Sequence, residues 1–413
     1  MTPFRCETYT VYDRHKIPSG EIAMFRCLWA VVLVVLFASA LLSFAGDPSK
    51  PHQPTLTSQS SGTMQGLIAV SPVNSRVVWA SGRGGTFVVT TDGGQTWKAG
   101  VVPGAEALQF RDVQGVSDKV AYLLSIGAGS DSRIYKTIDG GATWTLQFQN
   151  PDSSAFYDCF AFWTPRRGIA QSDSVNGRFP VIRTTDGKTW QDIGNNLPTA
   201  LPGEASFASS GTCVATQGRQ NAWIVTGGAS VSRVLVSKDG GDSWNAYNAP
   251  LRGSPSAGIF SVAFRDARRG MIGGGDLDPS APPFTQTATS SDGGKTWTVT
   301  KRQPDIGTVY GLSYAGLVSI GHRHEGGNHD EEDGNRTDVV AGRGEEGDDH
   351  DEEEANRIVV VTGPGGAAWT PDEGNRWFTL PGVTGYWGVA FGSRKTGWLV
   401  GTEGRILRID FSW

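Results

Sequence analysis

The chain has 413 residues, and its 36 lysines and arginines against 41 aspartates and glutamates give a formal net charge of −5. This weakly acidic balance argues against a nucleic-acid-binding protein, which needs a basic surface to meet the phosphate backbone. With 56 glycines and 14 tryptophans but only four methionines, the composition favours short strands joined by tight turns and argues against a helical bundle or a long coiled coil.

The first 46 residues are predicted to be separate from the fold. Residues 28–45 form an almost uninterrupted apolar run without a charge, preceded by Arg26. Small residues at Ser43 and Ala45 suit a signal peptidase, so we interpret residues 1–46 as a secretory signal. The alternative is an uncleaved N-terminal anchor, because about 18 apolar residues can span a bilayer. Either interpretation predicts an exported protein, periplasmic or extracellular, that touches the membrane only through an uncleaved signal.

A short motif of the form Ser/Thr-x-Asp-x-Gly-x-Thr-Trp recurs, with small variations, six times between residues 90 and 377. Its copies contain the pairs Asp92 and Trp97, Asp139 and Trp144, Asp186 and Trp190, Asp239 and Trp244, Asp292 and Trp297, and Asp372 and Trp377. Successive aspartates are 47, 47, 53, 53 and 80 residues apart. A repeat of about 40–50 residues is typical of a four-stranded blade, so the spacing predicts an all-β propeller.

Each copy of the motif lies between two short strands, which makes it a hairpin turn. In such a turn the aspartate accepts backbone N–H groups, a glycine takes a positive φ angle, and the tryptophan packs back under the turn. We therefore assign the six aspartates a structural role and no catalytic one. The third copy lacks one glycine and the sixth contains Glu373-Gly374, so these two turns are expected to be the least regular.

Seven segments have the pattern of an inner strand that opens a blade toward the central channel. They are residues 66–70, 107–110, 159–162, 212–215, 261–264, 311–314 and 388–391. Seven inner strands predict a seven-bladed β-propeller whose last blade lacks the motif, and a six-bladed ring is the alternative. Because the chain ends three strands into the last blade, a segment near residues 54–58 is expected to supply the fourth strand and close the ring. Residues 47–60 are thus a linker and closing strand, and residues 61–413 form the propeller.

Two cysteines, Cys159 and Cys213, lie in the predicted propeller, and the other two lie before the apolar run or at its edge. The chain has no Cys-x-x-Cys pair, so neither zinc nor thioredoxin-type chemistry is expected. In an oxidising compartment, two cysteines outside the signal favour a disulfide.

Alignment of the predicted inner strands brings carboxylates and aromatic side chains to one level near the channel mouth. The aligned residues are Gly66, Glu106, Asp158, Gly211, Phe260, Tyr310 and Trp387, with Tyr157 and Glu204 beside them. They form either a pocket for a sugar, a peptide end or a cation, or a filled and solvated funnel. Glu106 and Asp158 are the candidate catalytic pair of a glycosidase, which needs two carboxyl groups flanking the scissile bond.

The loops that leave the inner strands carry basic side chains in five different blades, so they are expected to form a basic ring on the opposite face. The ring contains Arg76, Arg166, Arg167, Arg219, Arg268, Arg269, Arg394 and Lys395. Such a ring either holds an acidic partner or consists of ordinary solvated arginines.

Residues 321–356 interrupt the sixth blade with 14 acidic and three basic residues and four of the six histidines. This acidic insertion has too little apolar surface to fold alone and is predicted to be disordered. Its net charge of −11 and the +1 of the first 46 residues leave the propeller body at +5. Three interpretations stay open: a neutral expansion, a segment that folds back on the basic ring and competes with an acidic partner, or a weak site for divalent cations without fixed ligand spacing.

The repeated motif resembles the Asp box of BNR repeats, which occur in sialidases, sortilin-like receptors and the photosystem II assembly factor family. Similarity to the assembly factors implies a non-enzymatic platform that holds a membrane-protein intermediate. Similarity to sialidases implies a hydrolase, but the Phe/Tyr-Arg-Ile-Pro stretch expected ahead of the first box is absent from this chain. The nearest segment, Arg178-Phe179-Pro180, follows the second box and has the wrong order.

We therefore predict an exported, monomeric, non-enzymatic binding or assembly platform that engages a protein or glycan partner and uses no cofactor or metal. The alternative is a secreted glycoside hydrolase of sialidase-like fold that acts at the channel mouth.

Overall fold

The computed structural model describes residues 51–282, 286–316 and 357–412. Over these ranges the chain is all-β, with seven antiparallel sheets of four strands each and three short 3-10 turns, Gly129–Asp131, Gly194–Asn196 and Thr402–Gly404. The helical turns in these ranges lack the length and hydropathy of a membrane span. The predicted signal or anchor, residues 1–46, and the acidic insertion, residues 321–356, lie outside the described residues.

The seven sheets are consecutive blades, each built from successive strands of the chain. The strand β1 (Thr55–Ser60) precedes the first complete blade. Blade 1 contains β2 (Leu67–Pro72), β3 (Val78–Gly82), β4 (Thr86–Thr90) and β5 (Lys98–Val101). Blade 2 contains β6 (Gln109–Gly115), β7 (Ala121–Ile126), β8 (Arg133–Thr137) and β9 (Thr145–Gln149). Blade 3 contains β10 (Tyr157–Thr164), β11 (Arg167–Ser172), β12 (Val181–Thr184) and β13 (Gln191–Asp192).

The remaining blades repeat this order. Blade 4 contains β14 (Val214–Gln217), β15 (Asn221–Val225), β16 (Arg233–Ser237) and β17 (Asn245–Asn248). Blade 5 contains β18 (Ala257–Phe264), β19 (Gly270–Asp276), β20 (Thr287–Ser290) and β21 (Thr298–Val299). Blade 6 contains β22 (Gly311–Tyr314), β23 (Val359–Gly363), β24 (Gly366–Thr370) and β25 (Phe378–Thr379). Blade 7 contains β26 (Tyr386–Phe391), β27 (Thr396–Gly401) and β28 (Arg405–Asp410), with β1 as its fourth strand.

The first strand of every blade lies at the centre of the ring. These strands contact the first strands of both neighbouring blades, from β2 against β6 round to β26 against β2. The prediction of a seven-bladed propeller is therefore confirmed, and the six-bladed alternative is wrong.

Blade stacking explains which strands are apolar. In blade 1, β3 and β4 are buried at every residue, because neighbouring blades cover both faces of the sheet. The outermost strands, such as β5 and β9, are mostly exposed, because no further strand covers them. The cores between blades include fully buried tryptophans from second and third strands, at Trp79, Trp223, Trp369 and Trp398.

The repeated motif forms a hairpin between the third and fourth strands of its blade. In the first copy, Thr96 donates its N–H to both carboxylate oxygens of Asp92, at 3.0 and 3.1 Å, and its hydroxyl to Oδ2 at 2.6 Å. These bonds from Thr96, together with one from Thr90, hold the pKa of Asp92 below its usual range. The first residue of the motif also stabilises the turn, since Thr90 Oγ1 accepts a hydrogen bond from the N–H of Gly94 at 2.9 Å. The aspartate is thus a turn staple, as the sequence indicated.

The two divergent copies depart from this geometry in different ways. In the third copy the turn is one residue shorter. Asp186 there accepts hydrogen bonds from the N–H groups of Lys188 and Thr189. In the sixth, Glu373 stands where the other copies have glycine and adopts a φ of 54°, in the left-handed region that favours glycine. Its carboxylate accepts hydrogen bonds from Arg265 Nε at 2.8 Å and from the Tyr314 hydroxyl at 3.0 Å, which hold this residue in place.

Ring closure depends on β1, which pairs antiparallel with β28 from Thr55 opposite Asp410 to Ser60 opposite Arg405. The sequence predicted a closing strand near residues 54–58, and the observed strand extends two residues further. Blade 7 has no Asp box because the box joins the third and fourth strands, and in this blade those strands belong to opposite ends of the chain.

Candidate functional site

One residue near the start of most inner strands is skipped in the pairing with the second strand, which forms a β-bulge at the same level of the channel. The register shifts in five blades, at Ile68, Arg111, Asp158, Phe260 and Trp387. In blade 6, both Tyr310 and Gly311 face Thr362, which gives Tyr310 the equivalent position. Bulges of this kind redirect a side chain, so they define which residues meet at the channel mouth.

Two of the aligned residues, Gly66 and Glu106, do not lie at the bulges of their blades. Gly66 precedes β2, and the bulge of blade 1 is Ile68. Glu106 is exposed in the loop before β6, where hydrogen bonds from its own N–H and that of Gly104 lower its pKa. The inner strand of blade 2 begins later than the sequence indicated because a turn closed by Leu108 N–H and Ala105 O, at 2.9 Å, occupies its predicted start.

Tyr157 and Glu204, predicted beside the pocket, are both buried. Tyr157 is 4% exposed and packs edge-to-face against Phe148 between blades, with ring centroids 5.2 Å apart, so burial raises its pKa above the usual range. Glu204 is 1% exposed and forms a buried ion pair with Arg233, whose Nε lies 2.8 Å from Oε1. Thr226 donates its hydroxyl to the same oxygen at 2.6 Å. Both side chains therefore belong to the packing around the channel mouth.

The aromatic residues expected at the channel mouth do come together. Phe207 stacks on Phe260 with centroids 4.1 Å apart, Phe260 lies 5.8 Å from Tyr310, and Tyr310 lies 5.1 Å from Trp387. The guanidinium of Arg111, from the other side of the ring, lies 5.2 Å from the Trp387 ring centroid. The sequence alignment missed Arg111 and Phe207. Arg111 follows Phe110, the predicted end of the inner strand of blade 2. Phe207 lies in a loop outside all the predicted inner strands.

Residues 205–212, here called the channel segment, cross the centre of the ring ahead of β14. Ser206 donates its N–H to Asp173 at 2.8 Å, and Ser210 donates its hydroxyl to Tyr310 O at 2.7 Å. Arg111 Nη1 donates to Ala208 O at 2.8 Å. Because these contacts involve blades 2, 3 and 6, whose inner strands meet only at the channel, the segment must lie across it. Gly211, an aligned residue of the sequence prediction, is part of this segment and has a φ of 75°.

A pair of carboxyl groups lies beneath the channel segment. Asp158 is 2% exposed, and its Oδ2 finds no hydrogen-bond donor among the described residues. Burial and the nearby charge of Asp173 raise the pKa of Asp158 well above its usual range, and burial raises the pKa of Asp173 to about 6. The more strongly raised pKa of Asp158 favours the protonated form of this carboxyl, which then donates a hydrogen bond to Asp173. The partner of Asp158 is thus Asp173 and not Glu106.

Cys159, in the inner strand of blade 3, forms a disulfide with Cys213, the residue before the inner strand of blade 4, with Cα atoms 5.9 Å apart. Both residues are fully buried. No group of three or more potential metal ligands comes together in the described ranges.

The opposite end of the ring carries the Asp boxes and the loops that leave the inner strands. The two are bonded to each other within a blade, as when Gly93 donates its N–H to Arg76 O at 2.9 Å and Gly293 to Arg268 O at 2.8 Å. The predicted basic residues therefore share this face with the box aspartates. Arg76, Arg166, Arg219, Arg268, Arg269, Arg394 and Lys395 are exposed.

Some of these arginines also hold the blades together. Arg167 lies 5.0 Å from the Trp163 ring centroid and donates Nη1 to Arg219 O in the next blade, at 2.7 Å. Arg269 forms an ion pair with Asp266 at 3.5 Å. The basic residues on this face therefore do not all point into solvent, because Arg167 and Arg269 also contact other residues of the propeller.

Two clefts on this face concentrate the positive charge. The first, here called the closure cleft, lies between blades 7 and 1 and has a volume of about 860 Å³. Four cationic side chains line it against one carboxylate, namely Arg76, Arg394, Lys395 and Arg408 against Asp92. The second, the blade 5–6 cleft, has a volume of about 490 Å³ and is lined by Arg265, Arg269, Lys301 and Arg357 against Glu373.

Four of the eight cations in the two clefts were not predicted from the sequence. Arg408 belongs to β28, and Arg265, Lys301 and Arg357 lie within two residues of a strand end, so they were not counted with the loops that leave the inner strands. Arg408 is paired with Asp410 at 2.8 Å, and Arg265 with Glu373 at 2.8 Å. These pairs hold the arginines in place at the edge of each cleft.

Comparison with known proteins agrees with the repeat geometry. A model of the BNR/Asp-box repeat matches residues 88–99. Photosystem II stability/assembly factor HCF136, chloroplastic, from Cyanidioschyzon merolae (strain NIES-3377 / 10D) is 25% identical over 249 residues, which cover 56% of this chain and 51% of the relative. The chain thus matches about half the length of this curated relative.

Two solved structures share the fold. The structure of YCF48 bound to D1 peptide gives a TM-score of 0.57 at 15% identity, covering 88% of this chain and 99% of that one. YCF48 from Cyanidioschyzon merolae gives a TM-score of 0.51 at 15% identity, covering 86% and 98%. The chain is a BNR/Asp-box propeller similar to the photosystem II stability/assembly factors.

Proposed function

We propose that this BNR/Asp-box propeller is a non-enzymatic platform that binds an acidic segment of a protein partner on the face of the Asp boxes. The observation that carries this proposal is the pair of basic clefts, each lined by four cationic side chains and one carboxylate. Asp410 and Asp266, outside these linings, pair with Arg408 and Arg269, and each cleft still has more cations than carboxylates. A concentration of one sign of charge in a cleft attracts and orients an oppositely charged partner. The similarity to YCF48, which has been solved bound to D1 peptide, supports a protein as the partner.

The arrangement of the arginines suits carboxylates in particular. A guanidinium presents several N–H donors in one plane and can meet a carboxylate with two parallel hydrogen bonds. In the closure cleft, Arg408 is oriented by Asp410 and also donates Nη1 to Gly93 O at 3.3 Å. Serine, threonine and glutamine side chains beside the cations, including Ser75 and Gln95, add neutral hydrogen-bonding groups for a peptide backbone.

A glycoside hydrolase at the channel mouth, the alternative drawn from the sequence, gains no support from the geometry. Such an enzyme needs two carboxyl groups that flank an accessible bond. Asp158 is 2% exposed beneath the channel segment, and Glu106 lies in an outer loop. A glycan partner has no separate supporting contact in these clefts.

Export is part of the proposal. The apolar run at residues 28–45 and the buried Cys159–Cys213 disulfide both support an oxidising compartment outside the cytosol. Cell fractionation with N-terminal sequencing of the mature chain tests this point, and a full-length chain in the cytosolic fraction would contradict it.

Charge reversal in the closure cleft tests the binding function. The double variant Arg76→Glu and Arg394→Glu should weaken binding of a fluorescein-labelled oligoglutamate peptide by about tenfold or more at low salt, because like charges then face the probe. Binding is measured by fluorescence anisotropy over a salt series, and the variant should also have a smaller salt dependence.

The matched control is Arg83→Glu, which makes the same kind of change on an exposed arginine in the loop between β3 and β4, at the opposite end of blade 1. At about 0.1 M salt it should leave the affinity within about twofold, since the Debye length is then about 10 Å and a charge at the opposite end of the blade is largely screened from the cleft. Equal losses in both variants, or no loss in either, would refute the assignment of the site to the clefts.

A further inference from the structure

The two ends of the acidic insertion stand at the two basic clefts. Gly316, the last described residue before it, donates its N–H to Ser393 O at 3.2 Å, and Ser393 lines the closure cleft. Arg357, the first described residue after it, lines the blade 5–6 cleft, and its carbonyl accepts the N–H of Glu373 at 3.2 Å. The chain therefore leaves the propeller beside one basic cleft and returns beside the other.

The charges of the insertion and of the clefts are complementary. Residues 321–356 carry 14 acidic side chains against three basic ones, whereas each cleft has four cations against one carboxylate. The acidic positions extend from Glu325, nine residues after Gly316, to Glu354, three residues before Arg357. Tethering at both ends raises the effective concentration of these carboxylates at the clefts to about the millimolar range.

Chain length does not limit this contact. Forty residues separate Gly316 from Arg357. A segment of that length can reach at most about 140 Å, and the described residues at both of its ends already lie at a cleft. Contact with the clefts therefore needs no extended conformation, which keeps its entropic cost low.

We propose that the acidic insertion is the intramolecular occupant of both basic clefts and competes there with an acidic partner. The competition rests on the proposed function of the clefts, whereas the intramolecular contact does not. The partner then binds by displacing the insertion, and its apparent affinity is reduced by the fraction of chains whose clefts are occupied.

Zero-length carbodiimide cross-linking of the full chain tests the intramolecular contact without any partner. We expect amide cross-links between carboxylates of residues 325–354 and Lys395 of the closure cleft and Lys301 of the blade 5–6 cleft, identified by mass spectrometry. Lys119 and Lys188 are the matched controls, because they are exposed near the same face in blades 2 and 3. Cross-links should fall at high salt, which screens the attraction. Equal yields at all four lysines, or no yield at Lys395 and Lys301, would overturn the proposal.

A charge-neutral insertion tests the competition. In the full chain, each acidic residue between 325 and 354 is changed by Glu→Gln or Asp→Asn, and binding of the fluorescein-labelled oligoglutamate peptide is compared with that of the unmodified chain. We expect the variant to bind at least about tenfold more tightly at low salt. A control variant changes only the four histidines of the insertion to Gln, which preserves the acidic charge and should leave the affinity unchanged.

The two assays separate the possible failures. If the neutral variant does not bind the peptide but the cross-links are found, the proposed function is wrong and the intramolecular contact stands. If both chains bind the peptide equally and the cross-links are absent, the clefts are a binding site that the insertion does not occupy.

Discussion

Asp158 and Arg111 lie at the bulges of two inner strands, where the fold places a carboxyl group and a guanidinium group at the channel mouth. Asp158 lies at a bulge and is buried against Asp173, so its carboxyl is stabilised in the protonated form. Arg111 lies at the equivalent bulge of blade 2, where it contacts Trp387 and donates to Ala208 O. At this scale, the channel mouth is a cluster of contacts that connects the blades, in which Arg111 Nε has no hydrogen-bond acceptor and Asp158 Oδ2 no donor among the described residues.

The variant Asp158→Asn tests this cluster through the pH dependence of stability. Because the pKa of Asp173 is raised to about 6 and that of Asp158 lies well above its usual range, the folded chain keeps protons that the unfolded chain releases above about pH 4. The free energy of unfolding due to this pair therefore falls as the pH rises from about 4 through 6. An asparagine donates an N–H to Asp173 without any such proton, so the variant should gain about 1–3 kcal/mol at pH 7.

Urea denaturation of both proteins across pH 4–8 measures this difference. Asp118→Asn, at an exposed carboxylate with a side chain 48% exposed, is the control and should follow the wild-type profile. A destabilised Asp158→Asn variant with a profile parallel to the wild type would show that the carboxyl pair does not hold a proton.

At the scale of the element, the Asp-box hairpin is a local unit that organises each blade. Its aspartate is bonded within four residues along the chain, and its tip is bonded to the loop after the first strand. The inner strands are linked differently, since the disulfide between Cys159 of β10 and Cys213, directly before β14, joins residues 54 apart in sequence. This covalent link lies directly beside Asp158 and the channel segment, which is otherwise held by hydrogen bonds and by the stacking of Phe207 on Phe260.

Replacing both cysteines by serine should lower the free energy of unfolding by about 2–4 kcal/mol, because the disulfide no longer restricts the unfolded chain. Chemical denaturation of the double variant Cys159→Ser and Cys213→Ser gives the value, and reduction of the wild type should produce a similar loss. The variant itself should not respond to the reductant. If the double variant is as stable as the oxidised wild type, the disulfide has no stabilising role.

At the scale of the whole molecule, the ring is held closed by a strand from the beginning of the chain. Gln59 of β1 accepts hydrogen bonds from the indole N–H groups of Trp97 and Trp398, each at 3.1 Å, and donates to Gly93 O at 3.2 Å. One side chain therefore connects the closing strand to blade 7 and to the Asp box of blade 1. The same seam forms the closure cleft.

Gln59→Leu should lower the free energy of unfolding by about 2–4 kcal/mol, since it leaves two indole N–H groups without their acceptor. Thr57→Ala changes an exposed residue of the same strand and should have an effect within about 0.5 kcal/mol. Hydrogen exchange should also become faster in β1 and β28 of Gln59→Leu. Equal stability and equal exchange in both variants would contradict this account of closure.

The sequence determined the blade, because the box depends on contacts between residues close in the chain. The bonds from Thr90 and Thr96 to Asp92 span two and four residues, so a motif of eight residues was sufficient to predict the turn, and its period was sufficient to predict the ring. The seventh blade followed from counting inner strands, since its missing fourth strand had to come from the other end of the chain.

Only the tertiary structure decided what meets at the channel and at the clefts. Arg111 bonds to a residue 97 positions away and Ser210 to one 100 positions away, and these contacts exist only after the ring has closed. In blade 2, the turn between Ala105 and Leu108 delays the start of the inner strand, and the bulge at Arg111 brings this residue, in place of Glu106, to the channel mouth. The clefts combine Arg76 with Arg408, and Arg265 with Arg357, because blades adjacent in space bring together residues that no short pattern relates.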